Sequence, residues 1–337
     1  MSPRVLLTGA SGFIAAHVLD QLLKQGYWVR ATVRSEAKKQ DILAANAAYA
    51  SQLDFAIVPD IATKGAFDDA VKAEPALDYI IHTASPFHFN PQDVLKDMLE
   101  PAVQGTLGVL EAAHKYAPSV KRIVVTSSFA SILDPATAPG PAGKIYTEED
   151  WNPITWEQSQ SNNYLAYIGS KKFAEKAAWD FVEREKPGFE LIVLNPPMVF
   201  GPIINAQSLK SLNTSNAAVY AILSGERGAE IPPTGVHLWV DVRDLASAHV
   251  IALTAAGAGN NRFLVKADGE YSNQEIADIL RKLFPVQPVP LGTPGTGLAP
   301  DVYQGDNAKS KKLLGLEYKR LEETLADLGK SLISLAK

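Results

Sequence analysis

The sequence predicts an α/β fold: a doubly wound parallel sheet followed by a smaller C-terminal α/β module. Three observations carry that prediction. Short apolar runs alternate with segments of helical period as far as Asn195, a glycine turn separates the first run from the first helical segment, and beyond Asn195 the alternation breaks. Strands covered by helices on both faces read as continuous apolar runs, and these do.

Taken in order, Arg4–Thr8 (RVLLT) is the first strand, halted by Gly9. Residues 13–25 then repeat apolar side chains at helical spacing until Gly26 ends the helix. Trp28–Val33 (WVRATV) is the second strand, and Ser35 caps an alanine-rich helix reaching Ala50. Residues 53–58, 79–84 and 122–127 and Glu190–Asn195 are the further strands. A long helix over 92–116, bent at Pro101, joins the fourth strand to the fifth. Residues 131–161 are a long loop, and loops of that length are often functional. A helix opening within 162–179 (NNYLAYIGSKKFAEKAAW) leads to the sixth strand. Prolines and glycines then cluster in NPPMVFGP, IPPTG and PVQPVPLGTPGTG. Residues 1–195 therefore form the first module and 196–337 mainly the second, with 237–255 returning to the first as a strand and a helix.

Composition narrows the chemistry. The chain has 337 residues, 46% of them hydrophobic and 20% charged, which suits a globular protein with room for two modules. A net charge of -5 argues against a nucleic-acid partner or an anionic membrane surface, either of which needs a basic excess. With no cysteine, disulfides and thiol catalysis are excluded. No two of the six histidines sit at the i, i+4 spacing of a helical zinc site, so no metal is expected. The opening MSPRVLLTGASGF meets glycine and polar residues before any signal-peptide core, and no apolar run approaches a membrane span. A cytoplasmic monomer or homodimer is the expectation, and the sequon at Asn213 is read as coincidence.

The turn Gly9-x-x-Gly12-x-x-Ala15 lies between the first strand and the first helix. Gly9 suits the tight bend, Gly12 lets the backbone approach a pyrophosphate, and Ala15 lets helix and strand pack closely. That is the dinucleotide-binding arrangement of a Rossmann sheet, with Ser11, Phe13 and Ile14 completing the turn. NAD-binding versions end the second strand in a carboxylate; here Arg34 follows Val33, with Lys38 one helical turn on. Two cations suit a 2′-phosphate, so NADPH is the expected cofactor. Asp60, after the third strand, stands where an adenine amino group could be met, or is a turn residue.

Of eleven tyrosines only Tyr167 has a lysine four residues later, Lys171. On a helix that spacing stacks the two side chains on one face. A phenol of pKa near ~10 needs about 4 kcal/mol of differential stabilisation to titrate near ~7, and a neighbouring cation contributes to it. The fifth strand ends in Ser127-Ser128. A serine and a tyrosine hydroxyl converging on one oxygen would polarise a carbonyl and protonate the alkoxide as hydride arrives.

With TGASGFIAAHV, VPDI, HTASPFHF, VTSSFAS, AYIGSKKFAEKAAW, NPPMVFGP, LNTS and VDVRDLASAHV in view, the chain resembles the extended short-chain dehydrogenase/reductase superfamily over essentially its whole length. It looks most like the fungal NADPH-dependent aldehyde and ketone reductases of the methylglyoxal/3-methylbutanal type. The plant dihydroflavonol and cinnamoyl-CoA reductases are more distant. The resemblance implies Ser128 as the catalytic hydroxyl, Tyr167 as general acid, and Lys171 as its partner on the nicotinamide ribose. It implies cofactor contacts at Arg34, Lys38, Asp60 and Ile61, and at Thr83, Ala84 and Ser85 at the end of the fourth strand. Thr126, Pro196, Val199 and Ser215 complete that set. Phe87, Phe129 and Met198 would line the pocket for a small aldehyde or ketone.

Two other readings compete. A nucleotide-sugar epimerase or dehydratase shares this fold, but dehydratases of the superfamily place acidic residues after the threonine where this chain has Ser127-Ser128-Phe129. Arg34 and Lys38 and the whole-length resemblance weigh against epimerisation. A non-enzymatic NADP sensor commonly loses the Tyr–Lys pair, which is kept here.

Overall fold

In the first strand, β1 (Arg4–Thr8), Val5 and Leu7 face one helical layer and Leu6 the other, so a five-residue run is buried on both sides. A computed structural model describes residues 2–85, 91–135, 143–205, 208–226 and 228–336. From β1 the chain runs through α1 (Phe13–Lys24), β2 (Trp28–Val33), α2 (Glu36–Ala45), β3 (Leu53–Ile57), a short α3 (Asp68–Val71) and β4 (Tyr79–His82). It continues through α4 (Glu100–Tyr116), β5 (Arg122–Thr126), a two-residue β6 (Ile145–Tyr146), α5 (Asn163–Glu185) and β7 (Glu190–Asn195). Then come β8 (Met198–Phe200), α6 (Thr214–Leu223), β9 (Trp239–Asp241), α7 (Val242–Ala252) and β10 (Asn261–Leu264). The chain closes with α8 (Asn273–Leu283), β11 (Gln304–Gly305), α9 (Ala308–Leu314) and α10 (Leu321–Leu335).

Seven strands form one parallel sheet in the order β10-β7-β5-β4-β1-β2-β3. One face packs Val18, Leu19 and Leu22 of α1 and Leu245 and Ala248 of α7 against Val5, Leu7 and Ile81. The other packs Val109 and Leu110 of α4 and Phe181 of α5 against Leu6, Ile80 and Ile123. Each such Val, Leu, Ile or Phe side chain taken from water contributes about 1.5–3 kcal/mol. From β1 the chain proceeds to β2 on one side and later returns to β4 on the other. That reversal of strand order opens a crevice beyond the carboxyl ends of β1 and β4, where ligands of such sheets bind.

Four local features differ from expectation. α2 stops at Ala45, because the Asn46 side-chain amide donates to the Ile42 carbonyl at 2.9 Å; a 3₁₀ turn over Ala47–Gln52 follows. The helix over 92–116 begins as a π-helical turn, Leu95–Leu99, just ahead of Pro101. A proline has no N–H to give the preceding turn, and a widened turn accommodates that. Of the 237–255 segment, α7 packs on the first sheet, whereas β9 pairs with β8 in a separate parallel ribbon. β10, within the stretch expected to be mainly the second module, is instead the edge strand beside β7. α6, α8 and α10 gather around the β8–β9 ribbon, through Val219, Ile276, Leu280, Leu325 and Leu328 against Phe200 and Trp239. No described helix is long and apolar enough to cross a membrane.

Candidate active site

The chain leaves β1 through Gly9, whose φ of +67° is costly for any residue with a Cβ. A Cβ there would also come within 2.9 Å of the Ala84 Cα. The turn is closed by the Gly12 N–H donating to the Gly9 carbonyl at 2.9 Å, and Gly12 then opens α1 without a side-chain cap. The first amides of the helix are thus left for a ligand, and Ser11, Gly12, Phe13, Ile14 and Ala15 line a cavity of about 610 Å³. Thr83 and Ala84 brace the turn from β4: the Thr83 hydroxyl donates to the Thr8 carbonyl at 2.6 Å, and the Ala84 N–H to the Thr8 hydroxyl at 3.2 Å.

On the opposite wall, the Asn162 side chain caps α5 by accepting from the Leu165 N–H at 2.9 Å. This start sets the helical phase. Tyr164, in the first turn, is 53% exposed, whereas Tyr167 and Lys171 turn one face to the cavity. The Tyr167 phenol is hydrogen-bonded with the Ser128 hydroxyl, whose oxygen also accepts from the Ala130 N–H at 3.1 Å. The Ser127 hydroxyl is engaged elsewhere, donating to Glu175 at 2.5 Å. Ser128, Tyr167 and Lys171 therefore meet in the cavity that the glycine turn lines, together with Thr126, Pro196, Val199 and Ser215.

The electrostatics correct one expectation. Lys171 does not bring the phenol down in this structure. Burial raises the Tyr167 pKa, and the hydrogen bond from Ser128 opposes the rise. The Lys171 ammonium lies 5.8 Å from the centre of the phenol ring and donates to the Ser85 hydroxyl at 2.7 Å. Burial lowers the pKa of Lys171 itself to about 8. His82 beneath the site, hydrogen-bonded to Thr8 at 2.9 Å, is pushed to about 3 by burial and by the charge of Lys171. It is a neutral structural imidazole at ordinary pH. So is His249, at about 4 through burial and 2.7 Å from the Thr126 hydroxyl.

At the far end, Arg34 and Lys38 are exposed on the cavity rim, and Lys38 pairs with Asp41 at 3.2 Å. The Ser215 hydroxyl accepts from the Val199 N–H at 3.1 Å. Asp60 spends its carboxylate on the turn that follows, accepting from the Ala62 N–H at 2.9 Å, and Ile61 is buried against the α3–α4 layer. The expected pocket aromatics fare differently. Phe87 lies outside the described residues. Phe129 does not line the cavity: it is 2% exposed, stacked on Tyr303 and edge-on to Tyr146. Its backbone N–H donates to the Pro196 carbonyl at 2.9 Å. Met198 is half-buried against the cluster of α6, α8 and α10 and lies 3.9 Å from the Ser215 hydroxyl, without lining this cavity itself. Lining residues that the sequence reading missed include Leu212 and Asn213, within the quoted string LNTS.

A second cavity, of about 440 Å³, adjoins the first at Ser11 and Lys38, between α1 and α2. Its charged groups are already paired, Lys24 with Asp20 and Arg243 with Asp241 and Asp327, so it offers no comparable chemistry. Among the described residues, no group of three or more His, Asp or Glu is placed to hold a metal ion.

Residues 5–265 match the NAD dependent epimerase/dehydratase family. The chain is 39% identical to a ketoreductase of Aspergillus niger, over 100% of its own length and 99% of the relative's. It is also 39% identical to the NADPH-dependent methylglyoxal reductase of Saccharomyces cerevisiae, covering 98% of each chain. The crystal structure of the yeast methylglyoxal/isovaleraldehyde reductase complexed with NADPH superimposes with a TM-score of 0.92, at 39% identity and 99% coverage of both chains.

Proposed function

The chain belongs to the NAD dependent epimerase/dehydratase family, and we propose that Ser128, Tyr167 and Lys171 are the groups with which it reduces an aldehyde or ketone. It is an NADPH-dependent carbonyl reductase, like the yeast methylglyoxal reductase it resembles. The residues fit that cofactor. The crevice at Gly9 has no room for a Cβ, the first amides of α1 are uncapped, and Arg34 and Lys38 line the same cavity as cations that suit a 2′-phosphate. When bound, the nicotinamide supplies a hydride to the carbonyl carbon.

The observation that carries the assignment is the hydrogen-bonded Ser128–Tyr167 pair, facing the same cavity as the glycine turn. Ser128 polarises the carbonyl oxygen, and Tyr167 gives that oxygen its proton as it becomes an alkoxide. Burial keeps the phenol protonated before reaction, which is the form a reductive acid needs. The Lys171 ammonium, in the same cavity, holds the nicotinamide ribose. The substrate is a small aldehyde or ketone, the protein a cytoplasmic monomer or homodimer without a nucleic-acid partner; the acidic net charge supports the last point. A panel of aldehydes, α-ketocarbonyls and aryl ketones followed by NADPH absorbance tests this reading. Turnover of none of them would reject it.

Arg34 decides the cofactor. Arg34→Asp raises the KM for NADPH by about ten- to a hundredfold, the value of one charge-assisted hydrogen-bonded pair, and improves use of NADH. Lys38→Ala costs less, because Lys38 is already paired with Asp41, and its loss grows at low salt. Steady-state kinetics with both cofactors measures this; an unmutated enzyme preferring NADH would refute it.

The pH dependence follows from Lys171. Burial lowers its pKa to about 8, so the ammonium is present below that pH and lost above it. Reduction, expressed as kcat/KM, is therefore level from neutral pH down to mild acidity and falls as pH rises through about 8. Lys171→Met removes this limb. A limb that persisted in that variant would show that another group titrates.

A further inference from the structure

Glu175 stands one helical turn beyond Lys171 on α5 and is 1% exposed. One carboxylate oxygen accepts from the Ser127 hydroxyl at 2.5 Å and from the Asn195 amide at 2.7 Å. The other accepts from the Arg262 Nε at 2.5 Å. The same Asn195 amide nitrogen donates to the Ser128 carbonyl at 3.2 Å. Arg262, on β10, reaches back with Nη1 to the carbonyls of Glu148 at 2.6 Å and Asp150 at 3.0 Å, with Trp151 stacked 3.7 Å from its guanidinium carbon. One buried carboxylate thus ties together α5, the end of β5, the end of β7, β10 and the loop at 148–151.

A buried ion pair is a poor source of stability, because desolvating both charges offsets most of their attraction; what its directed bonds supply is position. The backbone around Ser128 is held by the same group on two sides, through the Ser127 hydroxyl and through Asn195. Extended backbone sends neighbouring side chains to opposite sides, so fixing Ser127 on the helix side orients Ser128 toward the cavity. We propose that Glu175 is a positioning residue for the reaction, holding the Ser128 hydroxyl in register with Tyr167 while touching neither substrate nor cofactor. The inference rests on the assignment of Ser128 to the substrate oxygen. Misplacing a reacting group by about 1 Å costs up to ~10²-fold in rate, so a latch of this kind has a measurable effect.

A double-mutant cycle on single-turnover hydride transfer tests it, with NADPH affinity measured separately by fluorescence. Glu175→Gln lowers the rate by about tenfold in the wild-type background, leaves the NADPH dissociation constant within about twofold, and costs almost nothing in the Ser128→Ala background, where no hydroxyl remains to be placed. Ser127→Ala removes one bond of the latch and leaves the Glu175–Arg262 pair intact, so it reads the same coupling if Glu175→Gln does not fold. Its expected loss is about threefold, again only where Ser128 is present. Equal losses with and without Ser128, or NADPH affinity falling in step with rate, would mean that the network only supports the fold. A Ser128→Ala enzyme as fast as wild type would instead overturn the Ser128 assignment, and the latch with it.

Discussion

Tyr167→Phe lowers carbonyl reduction by about two to four powers of ten while NADPH binds almost as before, since a positioned proton donor is lost and nothing else. The hydroxyl removed is hydrogen-bonded with Ser128 at the cavity wall. Phenylalanine keeps the ring and its packing against the cluster of Ala130, Ile154 and Ile168. Tyr164→Phe is the internal control: its side chain is 53% exposed at the start of α5, and its loss is mild. Rate constants for both variants and NADPH titrations by fluorescence check the pair. A larger loss at Tyr164 would overturn the assignment.

Ser128→Ala lowers turnover by about two to three powers of ten, the effect expected when one preorganised donor to a developing oxyanion is removed. Ser127→Ala has a far smaller effect. The two hydroxyls are neighbours in sequence but not in role: Ser128 meets Tyr167, whereas Ser127 donates to the buried Glu175. Steady-state turnover of the two variants on one aldehyde separates them, and small, equal effects would show that neither hydroxyl holds the substrate oxygen.

Several parts of the site were legible because their cause is local. The Gly9 turn follows from a φ that side chains resist, and the sequence marks it by glycine spacing after an apolar run. The Tyr167–Lys171 spacing places both groups on one helix face whatever surrounds them. The same rule carried one turn further would have singled out Glu175. Its partner Arg262 would still have been hidden, lying 87 residues away on a strand that the broken rhythm after Asn195 concealed.

By itself, the sequence determined the parallel sheet, the dinucleotide turn, the basic pair in place of a carboxylate, and which tyrosine has a lysine partner. Each depends on periodicity, turn chemistry or charge within a few residues. Tertiary structure alone decided that Phe129 packs inward and that β10 completes the sheet. It also decided that Ser127 is held by Glu175, and that burial raises the Tyr167 pKa and lowers that of Lys171. Desolvation and packing depend on everything that surrounds a group, and most of what surrounds these groups comes from distant parts of the chain.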